Sequence, residues 1–403
     1  MRGLERLVFG LSNPLSTGRL YRLSAKRSEI SRRDFLATMI AGAAFVSPGT
    51  AHASIEPSSA VTNLGPHVFS GGSRSRSLID RKALVFRHSP SIHKLDPLSP
   101  LSVGNGEFAF TADITGLQTF PTEYENKMPL CTMSQWGWHN APPPGGLDPN
   151  GFRLTQYDTH GRSVGYLTSS DGQAELYNWL RENPHRLHLG LIGLLLKGEN
   201  QAEAQSQDLS DVDQRLDLWS GILRSRFRFK GEPVSVRSAV HPKFDLLAVA
   251  IESSLIARGL LAVRLAFPYG SQEMQAANWK QPGRHESAIV EQTKRSVGLQ
   301  RRLDADQYYV GVAWDDEASF VLEKPHFFSL NPESGSLSQT SLDFVVAFSP
   351  VPFKEAIPDA SATFSASSEH WQQFWTQAVR LSLQTAATLA RRNSSVASCY
   401  RSI

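Results

Sequence analysis

The chain has 403 residues, of which 40% are hydrophobic and 20% are charged, proportions typical of a globular protein with room for two or three domains. Its formal net charge of +3 is unevenly spread, because the first 34 residues contribute +5 and the last 26 contribute +4, which leaves −6 on the body between them. An acidic body lacks the basic surface that binds phosphate backbones, so nucleic acid is not expected as a partner.

The number of cysteines and the length of the apolar runs further restrict the classes of protein to which the chain can belong. Cys131 and Cys399 are the two cysteines, too few for a disulfide framework and without metal-ligand spacing. We therefore expect two unpaired thiols, no metal site and no cofactor. No apolar run reaches the roughly 18 residues that a spanning helix needs, so no permanent membrane span is expected.

The amino-terminal segment has the pattern of an export signal. Arg32 and Arg33 precede an uncharged stretch at 36–46, and Pro48 and an Ala-His-Ala site at 51–53 follow. Basic residues, a short apolar run and small residues at the cleavage site are typical of a secretory signal peptide. We interpret residues 1–53 as a twin-arginine signal cleaved after Ala53, which implies the twin-arginine export machinery as a partner and a periplasmic or extracellular location. The alternative is a basic amphipathic helix, against which the helix-breaking proline argues.

The body of the chain has the pattern of strands. Residues 54–82 are rich in Ser, Gly and Pro and indicate a linker. Residues 222–240 then alternate apolar and polar side chains on both sides of a Gly-Glu-Pro turn, which predicts a hairpin with one buried and one wet face. Its apolar members are Leu223, Phe227, Phe229, Val234, Val236 and Val240. Further strands are predicted at 247–251, 261–267, 309–313 and 344–348.

Helical periodicity is confined to two segments, 174–181 and 367–377. The second has an apolar stripe of Trp371, Phe374 and Trp375 on one helical face. Many short strands over about 270 residues, with few helices, favour a large antiparallel β-sandwich at 83–355 followed by a short linker helix at 356–377.

Three segments together resemble a known family. They read LSVGNGEFAF at 101–110, LDLWSG at 216–221 continuing through the hairpin to HPKFD at 241–245, and HWQQFW at 370–375. In this order they resemble the amino-terminal domain of six-hairpin glycosidases, which are related to maltose phosphorylases and α-L-fucosidases. The resemblance covers residues 83–377 and implies a mainly β, galactose-mutarotase-like supersandwich. In that family the supersandwich precedes a catalytic (α/α)6 barrel, which is absent from this sequence.

The resemblance also implies a function, and it implies which domain carries the catalytic residues. The family's carboxylic acid lies on the barrel, so no catalytic residue is assigned in this chain. We expect the non-catalytic amino-terminal domain of a secreted glycoside hydrolase, without activity of its own. The alternative is a stand-alone carbohydrate-binding or structural β-sandwich. Sugar epimerases share the outline of the fold, but no His–Glu pair can be assigned to that chemistry.

The carboxyl-terminal segment, 378–403, differs in composition, with four arginines and no acid. Codons can be chosen so that a shifted frame resembles the first helix of the family's barrel. This predicts a truncated product with a frameshift near codon 377; the alternative is an evolved flexible tail. The Trp371–Trp375 stripe is then expected to face a barrel that the chain does not make.

One loop is the best candidate for binding. Glu123, Trp136, Trp138 and His139 lie between positions 122 and 146, a segment that ends in a run of prolines and glycines. Tryptophan offers the largest rigid face for stacking on a sugar, and loops commonly carry binding residues. These four residues are therefore predicted to contact an oligo- or polysaccharide. The alternative is that both tryptophans pack into a domain interface. His185 and His188 are expected on the surface.

Overall fold

The computed structural model of the chain describes residues 80–198, 200–333 and 339–378. The signal arginines Arg32 and Arg33, the cleavage site after Ala53, most of the 54–82 linker and the tail after 378 lie outside the described residues. Predictions made for those segments stay predictions.

Twenty strands and four helices make up the described part. The helices are α1 (Arg81–Arg87), α2 (Ala174–Glu182), α3 (Ser254–Ala257) and α4 (Ala360–Ala378). The first strands are β1 (Ser91–Ile92), β2 (Leu101–Gly104), β3 (Phe108–Ala112), β4 (Thr132–Ser134), β5 (Trp138–His139), β6 (Thr155–Thr159), β7 (Arg162–Tyr166), β8 (His185–Arg186), β9 (Leu191–Leu196) and β10 (Leu209–Asp217). The others are β11 (Ile222–Phe229), β12 (Glu232–Val240), β13 (Leu246–Glu252), β14 (Leu261–Ala266), β15 (His285–Gln292), β16 (Ser296–Leu303), β17 (Asp306–Trp314), β18 (Ala318–Lys324), β19 (Phe327–Pro332) and β20 (Ser341–Ser349).

The strands form antiparallel sheets, as predicted for a mainly β chain. The largest has nine strands in the order β1-β10-β11-β12-β13-β20-β17-β16-β15, and a second has four in the order β18-β19-β14-β9. Smaller sheets contain β2-β3-β4, β5-β8 and β6-β7. The mainly β, antiparallel class, consistent with a β-sandwich, is confirmed.

The alternation seen in the sequence sets the orientation of the central hairpin. Strands β11 and β12 pair from Leu223 opposite Ser238 to Phe229 opposite Glu232. Phe227 and Phe229 are buried, whereas the arginines between and before them are exposed. The predicted hairpin is therefore confirmed, with a period of two fixing which face enters the core.

Both faces of the large sheet are covered near β13. On one face Leu247, Val249 and Ile251 join the main core with residues of the four-stranded and three-stranded sheets. On the other face Leu246 and Ala248 form a second, smaller cluster with Ala360 at the start of α4. This double coverage explains why β13 is apolar along nearly its whole length.

Helix α4 closes the core with its aromatic stripe. Trp375 is 3% exposed and its Nε1 donates to the Leu218 carbonyl at 2.5 Å. Trp371 and Phe374 are partly buried and pack against the same core. The sandwich itself therefore buries Trp375, whereas Trp371 and Phe374 keep part of their surface exposed. The expectation that this stripe faces a barrel stays a prediction.

The three segments of the family resemblance contact one another. Asn105 Nδ2 donates to the carbonyls of His241 and Phe244, at 3.0 and 3.2 Å, which fixes the β2–β3 turn on the loop before β13. Gly106 has φ of 93°, a conformation that glycine adopts without strain in this sharp turn. At the opposite flank of the second segment, Trp375 of the third segment donates to the Leu218 carbonyl.

Helix α1 was not predicted from the sequence, which placed its residues partly in the linker and partly among the strands. Its amino terminus is capped by Asp80, whose side chain accepts from Ala83 N at 2.9 Å. Val85 is buried, and the Arg215 guanidinium lies 3.9 Å from the centre of the Phe86 ring. Within the described ranges no helix has the length and apolar content needed to cross a membrane.

Substitution of Gly221, in the β10–β11 turn, tests how α4 packs against the sandwich. It has φ of 68°, and a Cβ built on it would lie 2.1 Å from Trp371 Cδ1. We expect Gly221→Ala to lower the free energy of unfolding by about 3 kcal/mol, through backbone strain plus displacement of the tryptophan.

Gly231→Ala is the matched control, since Gly231 has φ of 81° but open space around it. It should cost about 1 kcal/mol from strain alone. Chemical denaturation of both variants gives the comparison. Equal losses in the two variants would show that Trp371 does not pack there as described.

Candidate functional site

The structure separates the four residues predicted to bind sugar. Trp138 is 45% exposed, Trp136 is partly buried, and His139 is fully buried. Glu123 is exposed, and its Oε1 accepts from Ser206 Oγ at 2.8 Å. Their role in sugar binding stays a prediction, but their positions now distinguish them.

Glu123 lies away from the other three. Its partner Ser206 precedes the start of β10. Following the register across the nine-stranded sheet, the start of β10 is at the same end as Trp314, the last residue of β17. His139 instead contacts Asp304 in the β16–β17 turn, at the other end. One ligand site therefore does not naturally include both Glu123 and His139.

Asp245 connects the tryptophan loop to the large sheet. Its Oδ2 accepts from Trp136 Nε1 at 2.6 Å and from Ser134 Oγ at 2.5 Å. Its backbone carbonyl accepts from Phe348 N at 2.8 Å, so one residue links the loop, β13 and β20. No partner of Oδ1 is found in the part of the chain that the structure describes. That oxygen remains available to a ligand.

Trp138 is exposed yet held in one orientation. The Arg186 guanidinium carbon lies 4.1 Å from the centre of its ring, and its Nε1 donates to the Gln135 carbonyl at 3.0 Å. Arg186 Nη1 in turn donates to the carbonyls of Ser134 and Gln135, both at 3.1 Å. Ser134 also donates to Asp245, so hydrogen bonds through Ser134 connect Arg186, and the Trp138 ring beneath it, to that carboxylate.

A groove of about 400 Å³ lies beside Asp245. It is lined by residues 244–246, by the last three residues of β20 and by residues 351–358. Phe244, Val351 and Phe353 are exposed apolar side chains along it. We name Trp136, Trp138, Arg186, Asp245 and this groove the aromatic groove. Aromatic faces beside a charged acceptor are the chemistry that binds a sugar ring, with its apolar C–H face and polar edge.

His139 points to the opposite side of the β5–β8 ribbon from Trp138, as alternation along a strand requires. Its Nδ1 is 3.0 Å from His185 Nε2, and its Nε2 is 3.0 Å from Asp304 Oδ2. Tyr269 donates its hydroxyl to the same carboxylate oxygen at 2.5 Å, and Arg284 lies 3.5 Å from Oδ1. His139 is thus part of a buried polar cluster that holds the ribbon rather than part of the exposed binding surface.

Burial raises the pKa of Asp304, but the hydrogen bonds from Tyr269 and His139 outweigh it, so the pKa of this carboxyl lies below its usual value. Burial and the Asp304 carboxylate raise the pKa of Tyr269. The cluster therefore holds Asp304 ionised and Tyr269 protonated at neutral pH.

A second buried cluster surrounds Arg301, which the sequence did not single out. Arg301 is fully buried and donates to the carbonyls of Glu286 and Pro268, to Ser287 and to His285 Nδ1. The rings of His285 and His326 stack at 3.7 Å. Burial and the Arg301 charge lower the pKa of His285 to about 3, which keeps it a neutral acceptor. Only its place in the alternation of β16, at an inward position between Leu299 and Leu303, could have indicated this arginine.

The expectation that His185 and His188 lie on the surface is wrong for His188, whereas His185 keeps part of its surface exposed. His188 is 2% exposed, and its Nδ1 accepts from Gly190 N at 3.2 Å. His185 is half-buried between His139 and the Glu182 carbonyl. Both lie where β8 leads into β9, so their burial comes from tertiary packing that a local pattern does not reveal.

No group of three or more His, Cys, Asp or Glu side chains within residues 80–198, 200–333 and 339–378 is arranged to hold a metal ion. Cys131 is an unpaired thiol, and burial raises its pKa to about 11. It is therefore protonated and unreactive at neutral pH.

Comparisons with known proteins add little information about this site. No family model and no curated protein matches the chain. Among solved structures, a human-microbiome protein provisionally named a kojibiose phosphorylase is similar, with a TM-score of 0.39 and 12% identity, over 73% of this chain and 35% of that chain. The present chain thus spans about a third of that protein. A likeness at this level assigns neither fold nor function.

His188 gives a pH-dependent prediction. Burial lowers its pKa to about 4, against about 6.5 in an unfolded chain. The unfolded state then binds more protons below pH 6.5, so stability is lost as the pH falls from about 6.5 to about 4, by roughly 3 kcal/mol in total.

His188→Asn keeps an acceptor for Gly190 N and cannot be protonated. We expect it to be less stable at pH 7 but to lose less stability between pH 6.5 and 4, as measured by urea unfolding. His370→Asn, at an exposed position of α4, is the control and should leave the profile unchanged. An unaltered slope in His188→Asn would contradict a neutral buried imidazole.

Proposed function

We propose that the described domain binds an oligo- or polysaccharide at the aromatic groove. The observation that carries the proposal is the state of Trp138, which keeps 45% of its surface exposed although Arg186 and the Gln135 carbonyl fix its ring. Exposing a large, rigid aromatic face costs hydrophobic free energy unless a ligand uses it. The free oxygen of Asp245 and the partly exposed Trp136 supply the polar and apolar contacts beside it.

We further propose that the domain is non-catalytic and belongs to a secreted carbohydrate-active protein. The twin-arginine pattern supports secretion, and the family resemblance places the catalytic acid on another domain.

Binding to a panel of soluble glycans, measured by calorimetry on the full chain, tests the proposal. We expect saturable binding to at least one glycan. Trp138→Ala should weaken it by about tenfold or more, since a stacked aromatic face is worth roughly 1.5 kcal/mol.

Tyr157→Ala is the matched control, because Tyr157 is 44% exposed but lies in the separate β6–β7 hairpin. It should bind as the unaltered chain does. Equal weakening in both variants, or no binding to any glycan, would refute the site. Release of free sugar from the bound glycan would contradict the non-catalytic role.

A further inference from the structure

His139 and His185 form a series of hydrogen bonds between two acceptors, the Asp304 carboxylate and the Glu182 carbonyl. At one end His139 Nε2 is 3.0 Å from the Asp304 carboxylate, and at the other His185 Nδ1 is 3.0 Å from the Glu182 carbonyl. In the middle, His139 Nδ1 and His185 Nε2 face each other at 3.0 Å. All four ring nitrogens are therefore engaged in three hydrogen bonds.

The two acceptors at its ends fix the number of protons in this series of hydrogen bonds. A carbonyl accepts only, and the ionised Asp304 also accepts only, so both end nitrogens must carry a proton. The central contact needs a third proton on one of the two nitrogens that meet there. Two neutral imidazoles carry one proton each, hence two in all. With all three hydrogen bonds made, the pair holds one proton more and bears a single positive charge.

We propose that the His139–His185 pair is a built-in proton site whose extra proton docks the β5–β8 ribbon onto Asp304. The proton lies on His139, which is fully buried against the carboxylate, while His185 is neutral and donates to Glu182. Burial lowers the pKa of His185, in agreement with that division.

The surroundings of the pair favour a cation at this position. Asp304 and Tyr269 face it from the β16–β17 turn and the segment after β14, and Asp306 and Glu182 raise the proton affinity of His185. Arg284 is the opposing charge, but it also binds Asp304 and lies 4.4 Å from the Tyr269 ring centre. The contact is tight: a Cβ on Gly270 would lie 2.3 Å from His139 Nδ1.

Loss of the proton has a defined structural cost. Without it, one of the three hydrogen bonds has no hydrogen, and two lone pairs face each other. The ribbon has only two residue pairs, Trp138 with Arg186 and His139 with His185, and Asn140 N beside it donates to Asp306 Oδ2 at 2.9 Å. Its contact with Asp304 is therefore tighter at low pH and loosens as the pH rises. A pH-dependent glycan affinity would follow only if the proposed function holds, so the test observes the ribbon itself.

Nitrogen-15 NMR of histidine side chains in the full chain tests the proposal directly. At pH 8, where an isolated imidazole is neutral, we expect one ring with both nitrogens protonated, assigned by its disappearance in His139→Gln. Finding both His139 and His185 singly protonated at pH 8 would overturn the proposal.

Amide exchange of Leu187, whose N–H donates to the Gly137 carbonyl beside the ribbon, measures docking. After correction for the intrinsic rate, its protection should fall at least about tenfold when the proton is lost, as for a hydrogen bond to a charged group. The Val236 amide, within β12, should keep its protection. Constant protection of Leu187 through the titration would also count against the proposal.

Two variants distinguish an effect on the shared proton from an effect on the fold. Gly270→Ala forces the rings apart without removing a titratable group, and Asp304→Asn removes the negative end. Each should abolish the doubly protonated ring at pH 8. Gly151→Ala, where a Cβ meets open space, should retain it. Retention of the doubly protonated ring in both Gly270→Ala and Asp304→Asn would refute the shared proton, whether or not the chain binds glycans.

Discussion

The hydrogen bonds of Asp245 are the constraint on which the candidate site depends. Its carboxylate accepts from Ser134 and Trp136, and its backbone carbonyl accepts from Phe348, so the tryptophan loop and β20 are fixed at one residue. Asn105 anchors the neighbouring backbone at His241 and Phe244. The loop anchored in this way carries Trp138, whose ring the Arg186 guanidinium and the Gln135 carbonyl hold in one orientation.

The same end of the sheet also holds helix α4. The turn between β10 and β11 contributes the Leu218 and Ser220 carbonyls and the small Gly221, and α4 places Trp375, Ser367 and Trp371 against them. A tryptophan stripe seen in a sequence implies a surface that buries it. The structure buries Trp375 within the same domain and leaves Trp371 and Phe374 partly exposed.

The sequence predicted the fold class and the central hairpin because these depend on local periodicity. Leu223 and Phe227 alternate with arginines, and a strand with one wet face must show that pattern. The burial of His188 and Arg301 could not be predicted, because each depends on partners more than 50 residues away or on a neighbouring sheet. Polar residues that are buried through tertiary contacts look the same in sequence as exposed ones.

The site was predicted in part. Trp138 could be identified because a large aromatic residue in a glycine- and proline-rich loop is seldom needed for the core. Glu123 and His139 were grouped with it by proximity in sequence, but one contacts Ser206 at the far end of the sheet and the other lies beneath the ribbon. Asp245, the residue that organises the surface, was noticed only as part of a motif.

The central claim is that a glycan binds at the aromatic groove, and the indole N–H signals of the eight tryptophans test it most directly. During titration of the full chain with a bound glycan, Trp138 and Trp136 should shift, whereas the buried Trp314 and Trp375 should not. Saturable binding that leaves the Trp138 and Trp136 signals unmoved would contradict the account.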